Sequence, residues 1–500
     1  MKEKLAAFKV EIGEIWDLNM AGALLGWDQQ TNMPPNGAEE RSEQLATLSK
    51  IAHHKATSDE IGKMLDELLV YARALEPDSD DARLIRRSKI DFDKMTRVPS
   101  EKVAEFARVT TLAQEKWVQA RAKSDFSLFR PHLERIVELR REYADYFKPY
   151  DHVYDPLLDD FEPGLKTADV KDIFSRLRPQ QVELIRAIAA RPQVADDFLH
   201  LKYDDKKQWD FGVDVITRFG YDWKSGRQDR SAHPFTTSFG IGDVRITTRI
   251  LENLVGSGLF STMHEAGHGM YQQGLASNLS RTILANGASM AVHESQSRMW
   301  ENLVGRSRAF WRFFYPKLQA VFPAQLGNVP MEKFYKAINK VEPSYIRTES
   351  DEATYNLHVM LRLELEIALM EGSVKVADLP EAWNTRMQEY LGITPRNDSE
   401  GVLQDVHWSA GLIGYFPTYA LGNLVSVQLW EVINRDIPNL ESQIEKGEFG
   451  ALLGWLREKV HRHGSKFDPQ ELVQKVTGSK IDPQPYVGYL RTKYSDIYGL

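Results

Sequence analysis

The pentapeptide His264-Glu265-Ala266-Gly267-His268 restricts its surroundings more than any other stretch of the chain. In a helix of 3.6 residues per turn, positions 264 and 268 lie almost above one another, so both imidazoles can project from one face toward a single ion. The spacing predicts that helix from about Leu259 to Gln273: Leu259, Met263, Ala266 and Met270 form a buried stripe, and Gly274 closes the segment. Glu265 stands beside the pair, too near an ion to be idle yet angled away from ligation, which suits it to take a proton from water on the metal. The competing reading is a surface helix that happens to carry two histidines, and the rest of the chain decides between them.

A catalytic metal of this kind needs three protein ligands and an open position. The 500 residues include no cysteine, which excludes disulfides, thiolate ligands and a cysteine nucleophile. Glu294, in Ala291-Val-His293-Glu294-Ser295-Gln296, is the natural third ligand, because the 26 residues after His268 leave room for a turn and a second packed helix. Its neighbour His293 points about 100° away on that helix and cannot share the site as easily. His264, His268 and Glu294 would accept one divalent ion, zinc first, with cobalt and manganese also suited to the donor set.

Around this site the chain reads as helical. Residues 1–150 alternate charged and apolar positions with helical period, as where Ile61, Leu65, Leu68 and Leu69 make one stripe, and Met33-Pro34-Pro35-Asn36-Gly37 marks a loop. A turn-rich connection spans 155–164, and helical patterns resume at Thr167–Ala190 and from Met331 to the end. No boundary is strong enough to divide 1–500, so a single domain is expected, with two lobes around a cleft as one form of it. Only 231–250 differs: Thr236–Phe239 and Val244–Ile250, separated by Gly240-Ile-Gly242, read as a hairpin. Such a strand beside a metal helix could hold an extended peptide by its backbone, or could be a structural hairpin packed on helices. The net charge of −8 is modest and spread along the chain, so neither nucleic acid nor a membrane surface is an expected partner. The charged N-terminal stretch is unlike an apolar signal segment, which makes the cytoplasm the expected location.

Six motifs in order then resemble the Taq-carboxypeptidase family of metallocarboxypeptidases. They are His233-Pro234-Phe235, Asp243-Val-Arg245-Ile-Thr247, His264–His268, His293-Glu294-Ser295-Gln296, Ile346-Arg347-Thr-Glu-Ser350-Asp351, and Gly401-Val-Leu-Gln404-Asp405-Val-His407-Trp408. The resemblance implies a mainly α, saddle-like zincin fold of the neurolysin and angiotensin-converting-enzyme kind, with a deep groove and a small sheet beside the metal helix. It also implies a homodimer that removes residues sequentially, with broad specificity, from the free C-terminus of peptides. By this likeness His264, His268 and Glu294 hold the metal, Glu265 is the base and later proton donor, and Arg347 grips the substrate carboxylate. His407, with Tyr415 or Tyr419, is the candidate oxyanion partner.

His233, Asp243, Arg245, Thr247, Gln404 and Asp405 join the candidate substrate-binding set through their motifs. Each has a plainer reading. Arg347 could pair with Asp351 four residues on, Arg245 with Asp243 in the hairpin, and His233 could line a cleft wall. Gln404, Asp405 and Trp408 could serve mainly to position His407. Where many zincins place an aspartate four residues after the third ligand, this chain has Arg298, which leaves the partners of the metal histidines unassigned. Two rivals stand beside the exopeptidase: an endo-acting zinc oligopeptidase of the same fold type, and a non-catalytic helical protein that keeps a metal for stability.

Overall fold

Pro34 and Pro35 interrupt the first long helical pattern, and the backbone obeys them. α1 (Lys2–Thr31) ends there, followed by α2 (Ala38–Ala56), α3 (Asp59–Ala72) and α4 (Asp80–Arg97). Ser58 and Ser79 cap α3 and α4 by accepting from the backbone N–H of Ile61 and Ala82. Ile61, Leu65 and Leu68 are buried on one face of α3, while Leu69 is half-buried. These faces form a cluster of 12 buried hydrophobic residues that also takes in Leu279, Leu284 and Ala285, apart from the main cluster of 105. Where α4 meets the helix Pro469–Thr477, the contact is ionic: Arg83 with Glu471, and Lys475 with Asp78.

The computed structural model describes residues 1–500 and is mainly helical, with one three-stranded sheet. The expected hairpin is present as β2 (Thr236–Gly240) and β3 (Asp243–Thr248), paired antiparallel. A further strand, β1 (Gly226–Arg230), runs parallel to β3, giving the order β1-β3-β2. Its sequence, Gly-Arg-Gln-Asp-Arg, has no apolar alternation by which spacing could reveal it. Val244 and Ile246 of β3 are fully buried against the metal helix, so the sheet is a plate under that helix.

The metal helix is α5 (Val255–Gln273), one turn longer at its start than the spacing indicates, with Leu259, Met263, Ala266 and Met270 buried and Gly274 after its end. Burying Met263 and Met270 contributes about 1.5–3 kcal/mol each. α6 (Met290–Arg298) follows and runs on into a π-helical turn, Met299–Val304. α7 (Tyr355–Glu371) is buried on nearly every face, and α8 (Pro417–Asp436) lies along α6. Two glycines permit this packing. A Cβ on Gly267 would come within 2.7 Å of Gln296 O, and one on Gly422 within 2.6 Å of the Glu294 Cβ. The turn-rich connection also reaches the centre: Glu162 accepts from the Ala291 N–H at 2.6 Å, at the start of α6. No helix is long and apolar enough to cross a membrane.

Candidate metal and chain-end site

α5 and α6 bring His264, His268 and Glu294 together so that one ligand atom from each lies within 4.8 Å of the others. Both histidine Nε2 atoms stand 3.5 Å from Glu294 Oε2. Three electron-pair donors facing one point, with two free imidazole nitrogens, fit a divalent cation. Burial alone would raise the Glu294 carboxyl, but Arg298 and the two histidines hold it well below the usual carboxylate range, ready to ligate. Arg298 Nε donates to Glu294 Oε1 at 2.6 Å and Ser297 Oγ to Oε2 at 3.0 Å.

Each metal histidine also has an outer partner. His264 Nδ1 is 2.9 Å from Glu301 Oε2, and His268 Nδ1 is 2.9 Å from His293 Nδ1. His264 Nδ1 donates to the Glu301 carboxylate, which leaves its Nε2 free to ligate, while His268 Nδ1 faces a ring nitrogen of His293. Glu301 lies seven residues after Glu294, in the π turn, so it returns to the face that Arg298 occupies one turn earlier. Burial would raise its carboxyl, yet Arg298 and His264 hold it at about 2. His293, turned away from the metal position by its helical angle, lies between His268 and Gln272. Glu265 is buried at 7% exposure, and Thr236 of β2 donates to its Oε2 at 2.6 Å, leaving Oε1 without a protein partner.

A second cluster gathers residues far apart in sequence. Arg347, 5% exposed, donates through Nε and Nη2 to Asp405 Oδ1 at 3.1 and 2.9 Å, and through Nη1 to Tyr355 Oη at 2.8 Å. It does not pair with Asp351, which instead accepts from the N–H groups of Glu342, Ala353 and Thr354. Arg347 sits in a short 3-10 turn rather than an α-helix, so four-residue spacing does not bring the two together. Arg362 donates to the other oxygen of Asp405 at 2.7 Å and to Gln404 Oε1 at 2.7 Å, and Gln404 Oε1 also receives the Arg347 backbone N–H. Burial would raise Asp405, but Arg362 and Arg347 hold it well below the usual range.

His407 Nε2 lies 3.2 Å from Tyr419 Oη, with the Tyr415 ring 5.4 Å away. Burial lowers His407 to about 4, keeping it neutral, and pushes the Tyr415 phenol up to about 12. The Arg347 guanidinium lies over the Tyr419 ring at 4.8 Å. Both clusters meet at Tyr355, whose ring also carries the Arg298 guanidinium at 4.5 Å.

The profile of the family described as Carboxypeptidase Taq (M32) metallopeptidase matches residues 7–494. The chain belongs to that family. It is a metallocarboxypeptidase by kinship, 40% identical over 488 residues to thermostable carboxypeptidase 1 of Thermus thermophilus, with 96% of each chain covered. Its fold matches the M32 carboxypeptidase of Deinococcus radiodurans R1 at a TM-score of 0.97, with 40% identity over 100% of both chains. A Pyrococcus furiosus carboxypeptidase, whose structure is described as Apo-Mg, matches at 0.95 with 38% identity over 99% of each chain.

Among the other motif residues of this M32 chain, several have partners inside the protein. Arg245 donates to both oxygens of Asp243 at 2.8 Å, and its guanidinium covers the Trp27 ring at 4.4 Å, which docks α1 on the sheet. Thr247 Oγ1 receives the Phe235 N–H at 2.9 Å and the Ser231 hydroxyl at 2.7 Å, shaping the loop that bears the exposed His233. Trp408 donates to the buried Glu366 at 2.9 Å. Sequence reasoning missed Thr236, Glu301, Tyr355 and Arg362. A seven-residue step from Glu294 would have found Glu301; the others carry no local signal.

Proposed function

We propose that the chain removes amino acids one at a time from the free C-terminus of peptides, with one divalent metal, zinc first, held by His264, His268 and Glu294. The observation that carries this is the state of Arg347. A guanidinium has five N–H donors, and three of these are taken by Asp405 and Tyr355. One N–H each on Nη1 and Nη2 is left, the pair that a carboxylate accepts. Arg347 is joined to the metal ligand Glu294 through Tyr355 and Arg298, so a chain end held there lies beside the metal ligands.

When bound, the metal polarises the scissile carbonyl and makes water more acidic. Glu265 takes the proton of the attacking water on the oxygen that Thr236 leaves free, and then passes it to the leaving amine. Charge developing on the carbonyl oxygen is met by a protonated phenol, Tyr415 or Tyr419, with neutral His407 orienting Tyr419. Gln404 and Asp405 position Arg347, while His233, Asp243, Arg245 and Thr247 shape the wall at the sheet. An unblocked peptide, followed by mass over time, should lose residues stepwise from its C-terminus, and a chelator should stop the loss. Internal cleavage of a C-terminally amidated peptide at an equal rate would instead establish the endo-acting reading.

A further inference from the structure

We infer that the Tyr355 hydroxyl is a second donor to the carboxylate that ends the peptide, and so a specificity residue for free chain ends. The inference rests on the reading of Arg347 given above. Tyr355 Oη accepts from Arg347 Nη1 at 2.8 Å and donates to no acceptor in the protein. The residue is 6% exposed, and its ring is fixed by the Arg298 guanidinium at 4.5 Å and by the Tyr419 ring, edge-on, at 6.2 Å. A hydroxyl proton with no acceptor in the protein is available to whatever fills the groove beside it, water or ligand.

The ligand must also satisfy the two unused N–H groups of Arg347 next to it. A carboxylate does both: its two oxygens offer about four lone-pair sites, enough for a guanidinium fork and one phenol. A carboxamide presents an NH2 in place of one oxygen and sets donor against donor. Asp405 cannot take the phenol's place as selector, because both its oxygens are already engaged by Arg347 and Arg362. Tyr355 also lies on the side of Arg347 that faces Arg298 and the metal ligand, where the last residue of a bound peptide would have to fit.

The test is direct binding by calorimetry in a metal-loaded Glu265→Gln background, which holds peptide without consuming it. The probes are one peptide with a free C-terminus and the same peptide amidated. Tyr355→Phe keeps the ring and its packing and removes only the hydroxyl. The expected result is that Kd for the acid rises about tenfold while Kd for the amide stays within about twofold, so that the preference for the acid shrinks. The loss should persist, at threefold or more, when Tyr355→Phe is added to Arg347→Ala. If Arg347→Ala removes the preference and Tyr355→Phe leaves it intact, the inference falls and the Arg347 reading survives. If the Tyr355→Phe loss vanishes in the Arg347→Ala background, Tyr355 only props the guanidinium, and the inference falls as well. Should neither variant alter the preference, the reading of Arg347 fails and takes the inference with it.

Discussion

The metal corner and the arginine corner are built from the same ingredients in opposite proportion. Around the metal position stand three carboxylates, Glu265, Glu294 and Glu301, against two guanidinium groups, Arg298 and Arg306, with Arg306 reaching Glu301 at 3.5 Å. In the other corner two guanidinium groups, Arg347 and Arg362, share the single carboxylate of Asp405. The first set carries a net negative charge, and the second a net positive one. A buried charge left unpaired is costly, so each corner favours an ion of the opposite sign: a cation in one, a carboxylate in the other. The distance between the two needs is spanned by one side chain, Tyr355. On the proposed reading, this pairing of opposite deficits is what would let a metal-dependent hydrolase select chain ends.

The largest expected effect tests whether the corners divide their labour. Glu265→Gln should lower kcat by about 10³-fold while metal content, measured by elemental analysis, stays at one ion per chain. Loss of the metal together with activity would mean that Glu265 belongs to the holding of the ion, and the division would blur. A smaller effect is expected one shell out. Glu301→Gln removes the anionic partner of His264 and should raise the metal dissociation constant by roughly 10–100-fold, read by competition with a chromogenic chelator. Peptide-acid affinity of the metal-saturated variant should change by less than about threefold. If acid affinity falls as far as metal affinity, the corners are one electrostatic unit rather than two.

The two corners were also unequally legible in the sequence. Periodicity exposed the metal helix, because His264 and His268 share a face with the same regularity that buries Met263 and Met270. Glu294 followed from ligand arithmetic, and the hairpin from its glycines. The outer partner Glu301 escaped because α6 passes into a π turn, and a four-residue step along an ideal helix lands on Arg298 instead. The arginine corner had no such handle. Arg347 meets Asp405 58 residues away, and Tyr355, eight residues on, stands at the start of α7 while Arg347 lies in a 3-10 turn, so no single helical period relates the three. The motif resemblance named Arg347, but only tertiary packing shows that Asp405, and not Asp351, holds it. Strand β1 was invisible for a related reason: its pairing is decided by β3, not by its own four polar residues and one glycine.

A final and smaller effect separates the corners by pH, because each is backed by a buried carboxyl of different acidity. Glu162, which holds the start of α6 behind the metal ligand, is raised to about 8 by burial. Asp351, just after the Arg347 turn, is raised to about 6 by burial, with the N–H groups of Glu342, Thr354 and Ala353 opposing the rise. Both are acids whose folded pKa exceeds the unfolded value, so the folded chain keeps protons that the unfolded chain has lost. Stability from each is full below its unfolded pKa and declines as pH rises toward the folded one, by at most about 1.4 kcal/mol per pH unit for each proton. The buried His407 and His461 act in the other direction but only below their ordinary range, since burial lowers them to about 4 and about 3. Glu366, raised to about 7, is half ionised at pH 7 and adds a smaller share to the decline above it. In the metal-loaded chain, where His264 is held unprotonated, Glu162 makes the larger contribution between pH 7 and 8 and Glu366 the smaller. Glu162→Gln should flatten the fall of Tm across that interval, whereas Asp351→Asn should flatten it only between about pH 4 and 6. A Tm slope above pH 7 that Glu162→Gln leaves unchanged would mean that this carboxyl is already ionised behind the metal helix, and that the corners do not differ in this respect.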